Sequence, residues 1–196
     1  MVGTTLLLLA LTAVACGRSG YQYIENDETG VYAKIPDDWS VISEGLIDFA
    51  LVGEDGQMAI LPGDDILPWR AYFDAEPDAE RGGFDRVLGA VEVQPVDRRL
   101  RGSLNLETLV GFDPNAPTDE YRVLYRSDVE RGALTGMRLI YETELSGIDN
   151  TVDRLMLTDD RFTTVYEVRI FCATACFADN ANVIEEIMDT FTVEAG

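Results

Sequence analysis

Few side chains in this 196-residue chain have the type and spacing for chemistry. Cys172 and Cys176 stand four positions apart in FCATACF. In an oxidising compartment two such neighbours form a structural disulfide, whereas redox motifs carry two intervening residues and a thiolate metal site needs further soft ligands. A disulfide is therefore the expectation. Arg98, Arg99 and Arg101 in DRRLRG are the dense basic spot of the chain. Guanidinium groups there can grip an acidic partner or an anionic ligand in two-pronged hydrogen bonds, or simply pair with nearby acids. Asp37-Asp38, Asp64-Asp65 and Asp159-Asp160 are adjacent carboxylates in turn-like segments. Ca²⁺ takes about six to eight such oxygens, but the calcium-loop spacing is absent and Asp favours turns for its own reasons. Trp69, in the stem PWRAYF before the loop DAEPDAERGG, is a candidate aromatic anchor, since long loops on such stems carry contacts. Trp39, beside a turn, is expected in the core.

Composition narrows the chemistry further. Thirty-six acidic residues oppose fifteen basic ones, giving −21, and histidine is absent. Without histidine the commonest general base, the usual zinc and copper ligand, and every Ser-His-Asp or Cys-His arrangement are missing. A body this acidic repels phosphate backbones and anionic headgroups, which argues against nucleic acid and against lying flat on a membrane. No metal or cofactor site is expected, and the chain is expected not to be an enzyme. Hydrophobic residues at 46% are ample for a core.

The elements that must position these residues are mostly strands. Val31 to Ile35 reads as a strand, Pro36-Asp37-Asp38 as a turn, and a second strand follows from Trp39. DFALVGEDGQMAIL reads as a hairpin. Tyr121, Val123 and Tyr125 alternate, as do Met137, Leu139, Tyr141, Thr143 and Leu145, and then Phe162, Thr164, Tyr166, Val168 and Ile170. GIDNTVDRLMLTDDR supplies a further strand between turns, so the second half is an antiparallel meander. Val87 to Val96 fits either period; Gly89 and Pro95 argue for a strand. Two helices stand out. Val183, Ile184, Ile187 and Met188 make an apolar stripe after Asp179 as N-cap, and Leu106, Leu109 and Val110 a shorter one after Ser103.

At the start of the chain, Leu6 to Ala15 is apolar or small and too short to span a bilayer, which takes about 20 residues. The run Ala13-Val14-Ala15-Cys16 resembles the bacterial lipobox, although Ala13 stands where Leu is favoured and no Lys or Arg precedes the apolar run. The resemblance implies a signal peptide over 1–15, a diacylglyceryl group on Cys16, a short tether to residue 20, and one domain over 21–196. Two acyl chains hold a protein on a membrane where one holds only marginally. An ordinary secretory signal with an incidental cysteine is the alternative.

The opening TGVYAKIPDDWSV, the meander, and the closing NVIEEIMDTFTVE together resemble the Mog1/PsbP-like superfamily. The resemblance implies an α+β fold, an antiparallel sheet flanked by helices in an α/β/α sandwich. Its members include small secreted bacterial lipoproteins and serve unrelated roles, so fold does not hand over activity. The expectation is a lipoprotein held on the extracytoplasmic face of a bacterial membrane that binds an envelope component without catalysis, through Arg98, Arg99, Arg101 and Trp69. A binding protein for Ca²⁺ or a small extracytoplasmic ligand is the alternative.

Overall fold

A computed structural model describes residues 20–46, 51–52, 58–59, 69–76, 84–109 and 121–194. Cys16, the lipobox, the Asp64-Asp65 pair and residues 77–83 of the loop after PWRAYF lie outside them.

The chain opens with β1 (Tyr21–Asn26) and β2 (Val31–Pro36), paired antiparallel. In β2 the alternation of Val31, Ala33 and Ile35 puts three apolar side chains on one buried face. The far end of the chain returns as β12 (Thr192–Val193), which pairs with β2 through Val193↔Val31. The two ends that carry the family resemblance therefore meet in one three-stranded sheet, β1-β2-β12.

The main sheet contains β3 (Ser40–Leu46), β6 (Trp69–Asp74), β7 (Leu88–Pro95), β8 (Tyr121–Arg131), β9 (Leu134–Leu145), β10 (Ile148–Thr158) and β11 (Thr164–Ala173). Its order is β3-β6-β7-β11-β10-β9-β8, antiparallel throughout. A small hairpin, β4 (Leu51–Val52) with β5 (Met58–Ala59), completes the strands. The ambiguous segment Val87 to Val96 is thus a strand. Gly89 has a further reason to lack a side chain, because a Cβ there would lie 2.1 Å from the Phe73 ring.

Helices lie on both faces. After β11 come α2 (Thr174–Asp179) and α3 (Ala181–Thr190), whose Ile184, Ile187 and Met188 are buried in the main core with Phe73, Val168 and Ile170. On the opposite face, α1 (Leu106–Leu109) sets Leu106 and Leu109 against Met137, Met156 and Val165. This is the α+β arrangement expected, with one face packed on α3 and the small sheet, and an outer face partly covered by α1.

Three local expectations are corrected. Asp179 is the last residue of α2, and Asn180 is the N-cap of α3, because the disulfide segment itself turns helical and shifts the boundary. Asn105, not Ser103, caps α1: its Oδ1 accepts from the Thr108 N–H at 2.7 Å while its own N–H reaches Thr108 Oγ1. Ser103 ends a 3-10 turn over Arg101–Ser103. Phe162 does not start β11. Its φ of 53° places it in the turn, where Asp159 holds the Thr163 N–H.

Candidate functional site

Two collections of arginine stand out from the acidic body. The first is the predicted one. Arg98 is exposed and Arg99 is 81% exposed, on the turn that follows β7, beside Leu100 at 55%. Asp97 organises that turn, accepting from the Arg99 N–H at 2.8 Å and from its guanidinium. Arg99 in turn holds the Asp97 carboxyl below its usual range. Arg101 points back, its Nε donating to the Val96 carbonyl at 3.0 Å. The fold adds a residue the sequence did not group with these. Val96 N–H bonds to Thr163 O at 2.9 Å, which sets the β10–β11 turn and its Arg161, 83% exposed, at the same end of the sheet. Asp159 anchors that second turn. Burial opposes its charge, but hydrogen bonds from Thr163 and Arg161 and the nearby Arg101 keep its carboxyl low.

The second collection lies on the outer face of the main sheet. Arg154 sits directly opposite Arg169, and Glu167 directly opposite Glu92. Like charges across a strand pair repel. Diagonal pairing resolves the conflict: Arg154 grips Glu167 through Nε and Nη2 at 2.8 and 3.0 Å, and Arg169 reaches Glu92 at 3.2 Å. Arg70 closes the row on Glu92, and also meets the Tyr72 hydroxyl and ring. Both carboxylates are buried, and the guanidinium groups are more accessible than the acids. Burial opposes the charge of Arg154, yet Glu167 outweighs it and holds its pKa above the ordinary value. Burial likewise raises the phenol of Tyr141, next along this face. Nothing in the local sequence announces this row, since its members come from four separate strands, β6, β7, β10 and β11.

Trp69 requires a correction. It is 4% exposed and packs in the main core with Ala71 and Phe73, so it offers no surface to a partner. Its alternation is legible: Trp69, Ala71 and Phe73 face inward while Arg70 and Tyr72 face out. Trp39 is core as expected, stacked on Phe73 at 6.0 Å.

Cys172 and Cys176 are joined, with Cα atoms 5.9 Å apart, tying the end of β11 to the first turn of α2. Cys172 is fully buried. The closed loop is so short that the chain-entropy contribution is only about 2 kcal/mol. Intact mass without reductant should come out two hydrogens below the dithiol form, and reduction should lower the melting temperature modestly. Free thiols in exported protein would contradict the pairing.

Asp37 and Asp38 are exposed, and Asp160 is 90% exposed beside Arg161. Among the described residues no group of three or more His, Cys, Asp or Glu gathers as a metal site. No described helix is long and apolar enough to cross a membrane.

The fold and these surfaces define a class, an α+β domain whose exposed chemistry is arginine set on an acidic body. The sequence itself matches no family model and no curated protein. Among solved structures it is similar to LpqN of Mycobacterium tuberculosis, which is involved in cell envelope biogenesis, at 11% identity. That alignment covers 89% of this chain and 91% of LpqN with a TM-score of 0.52. Cyanobacterial PsbP of Synechocystis aligns over 92% of this chain and 96% of its own, with 10% identity and a TM-score of 0.48. The Ran-binding protein Mog1p of Saccharomyces cerevisiae aligns over 88% and 95%, with 13% identity and a TM-score of 0.47. The α+β fold expected from the two ends of the sequence is present, and it is shared with LpqN.

Proposed function

We propose that this protein is a lipid-anchored, extracytoplasmic module of a bacterial cell envelope that binds an acidic partner without catalysis. The observation that carries the reading is the arginine end, where Arg98, Arg99 and Arg161 stand exposed on two adjoining turns of a −21 body. Specificity on so uniformly acidic a surface comes from the place that differs. Guanidinium groups match carboxylate or phosphate oxygens in two-pronged contacts. Three further facts support the reading. Histidine is absent, the Leu6 to Cys16 segment has the lipobox pattern, and the fold is shared with an envelope protein.

Two experiments test it. Cys16→Ala should leave the domain folded and release it from membranes, because the lipid supplies the attachment. Retention of that variant on membranes in high salt would sink the anchor. Reversing Arg98→Glu together with Arg99→Glu should weaken capture of the envelope partner by tenfold or more while barely moving the melting temperature. The expectation follows because exposed, solvent-screened charges govern encounter far more than folding. Unchanged capture by the double variant would move the binding surface elsewhere.

A further inference from the structure

The end of the main sheet opposite the arginines has its own chemistry. There β9 and β10 are joined by a two-residue turn, Ser146-Gly147, both at positive φ, with Leu145 paired to Ile148 across it. Leu145 is 39% exposed and Ile148 43%, an apolar pair at the tip of a long hairpin. Alternation places them on the outer face with Tyr141, whose ring meets Tyr121 edge-on at 5.7 Å. The acids of the same hairpin, Glu142, Glu144 and Asp149, alternate to the other face, where Glu142 pairs with Arg122. The tip is amphipathic: apolar side chains backed by tyrosines on one face, carboxylates on the other. Apolar tips backed by tyrosine suit the lipid–water boundary, where an amphipathic ring has one end in each medium.

The strand register shows which end of the molecule the tether leaves from. Gly20 O accepts from the Asp37 N–H, and three residues later β3 begins at Ser40, opposite Asp74. Asp74 pairs with Leu88, the first residue of β7, whose last residue Pro95 leads into the arginine turn. One strand of eight residues, roughly 26 Å at about 3.3 Å each, separates the two ends. Across the sheet the row of Leu88 continues through Phe171 and Val152 to Tyr141, and the β9–β10 hairpin projects beyond it. Gly20 and the apolar tip thus lie at the same end. Cys16 precedes Gly20 by four residues, a reach of about 14 Å at most.

We propose that the Leu145–Ile148 tip, with Tyr121 and Tyr141 behind it, rests in the surface of the bilayer that holds Cys16, and so turns the arginine end outward. The inference rests on the lipid anchor proposed above. Tethering converts a contact too weak for the free domain into an intramolecular one at high effective concentration. The acids on the opposite face and the −21 body keep the remainder of the domain off the headgroups.

The test uses the full lipidated chain in phosphatidylcholine vesicles with brominated acyl chains, reading tryptophan emission. Trp39 and Trp69 are buried and supply a constant background. Emission added by Ile148→Trp should be blue-shifted and mostly quenched, whereas emission added by Leu100→Trp at the arginine end should be untouched. Unquenched Ile148→Trp in a chain that floats with the vesicles overturns the proposal, and so does equal quenching at both positions. A chain whose intact mass lacks the diacylglyceryl group and that does not float overturns the anchor itself, and the membrane-facing tip with it.

Discussion

Arg138→Met should lower the unfolding free energy by about 3–5 kcal/mol, the cost of leaving a buried charge without its partner. Arg138 lies on the α3 side of β9 and donates to both oxygens of Asp153, at 3.0 and 2.6 Å. Asp153 is wholly buried and Arg138 only 12% exposed. Burial raises the Asp153 carboxyl above its usual value even with the guanidinium in place. For Arg138 burial works the other way, but Glu185 and Asp153 together keep it firmly charged. Remove the guanidinium and Asp153 must either stay charged in an apolar layer or take up a proton, and both cost free energy. Glu185, 55% exposed, should matter far less, so Glu185→Gln should change stability by roughly 0.5 kcal/mol or less. The double variant Arg138→Met with Asp153→Leu should recover much of the loss, since an apolar pair carries no desolvation penalty. Urea unfolding of the four proteins checks all three statements. A loss under 1 kcal/mol for Arg138→Met would mean that the pair is not buried as described.

Trp69→Ala should destabilise the domain by about 3–5 kcal/mol, the usual cost of deleting a large buried aromatic side chain. Trp69 pairs with Val93 in β7 and with Leu46 in β3, and its side chain packs in the main core. The cavity left behind would be lined by strands on both sides, which have little freedom to collapse. Partner capture by the fraction that remains folded should be unchanged, because the side chain presents no surface. Thermal unfolding and capture measured below the transition separate the two effects. A folded, stable Trp69→Ala domain that had lost its partner would restore Trp69 as an anchor.

Trp69 also shows where sequence reading stops. The period-two pattern of WRAYFD is present in the sequence, but a charged residue between two aromatics looks like an interrupted binding stem until both neighbouring strands are known. Elements whose signal is local were legible from the residues. The alternation of β9 and the apolar stripe of Ile184, Ile187 and Met188 follow from backbone geometry within one strand or one helix, and the pairing of the two cysteines from their closeness in sequence and the oxidising compartment expected. Helix boundaries were legible only to within a turn, because the segment before α3 is itself helical and the cap falls on Asn180 instead of Asp179.

What the tertiary structure alone decided is register between distant segments. Glu92 meets Arg169 across 77 positions, and Val31 meets Val193 across nearly the whole chain. Neither partner carries a local mark of the other, since an arginine on the solvent side of a strand is an ordinary surface residue. Their pairing depends on which strands adjoin and on a one-residue choice of register, which the burial of the opposite face imposes. The same register brought Arg161 to the end of the sheet that carries Arg98 and Arg99, and placed the apolar tip at the end where Gly20 lies. Local pattern determined an antiparallel meander with two helices, and composition an acidic body with arginine as its distinctive surface chemistry, while the α+β fold was implied by the family resemblance of the two ends. Where those arginines gather depended on long-range strand pairing, because cross-strand neighbours are chosen by packing of the core they share.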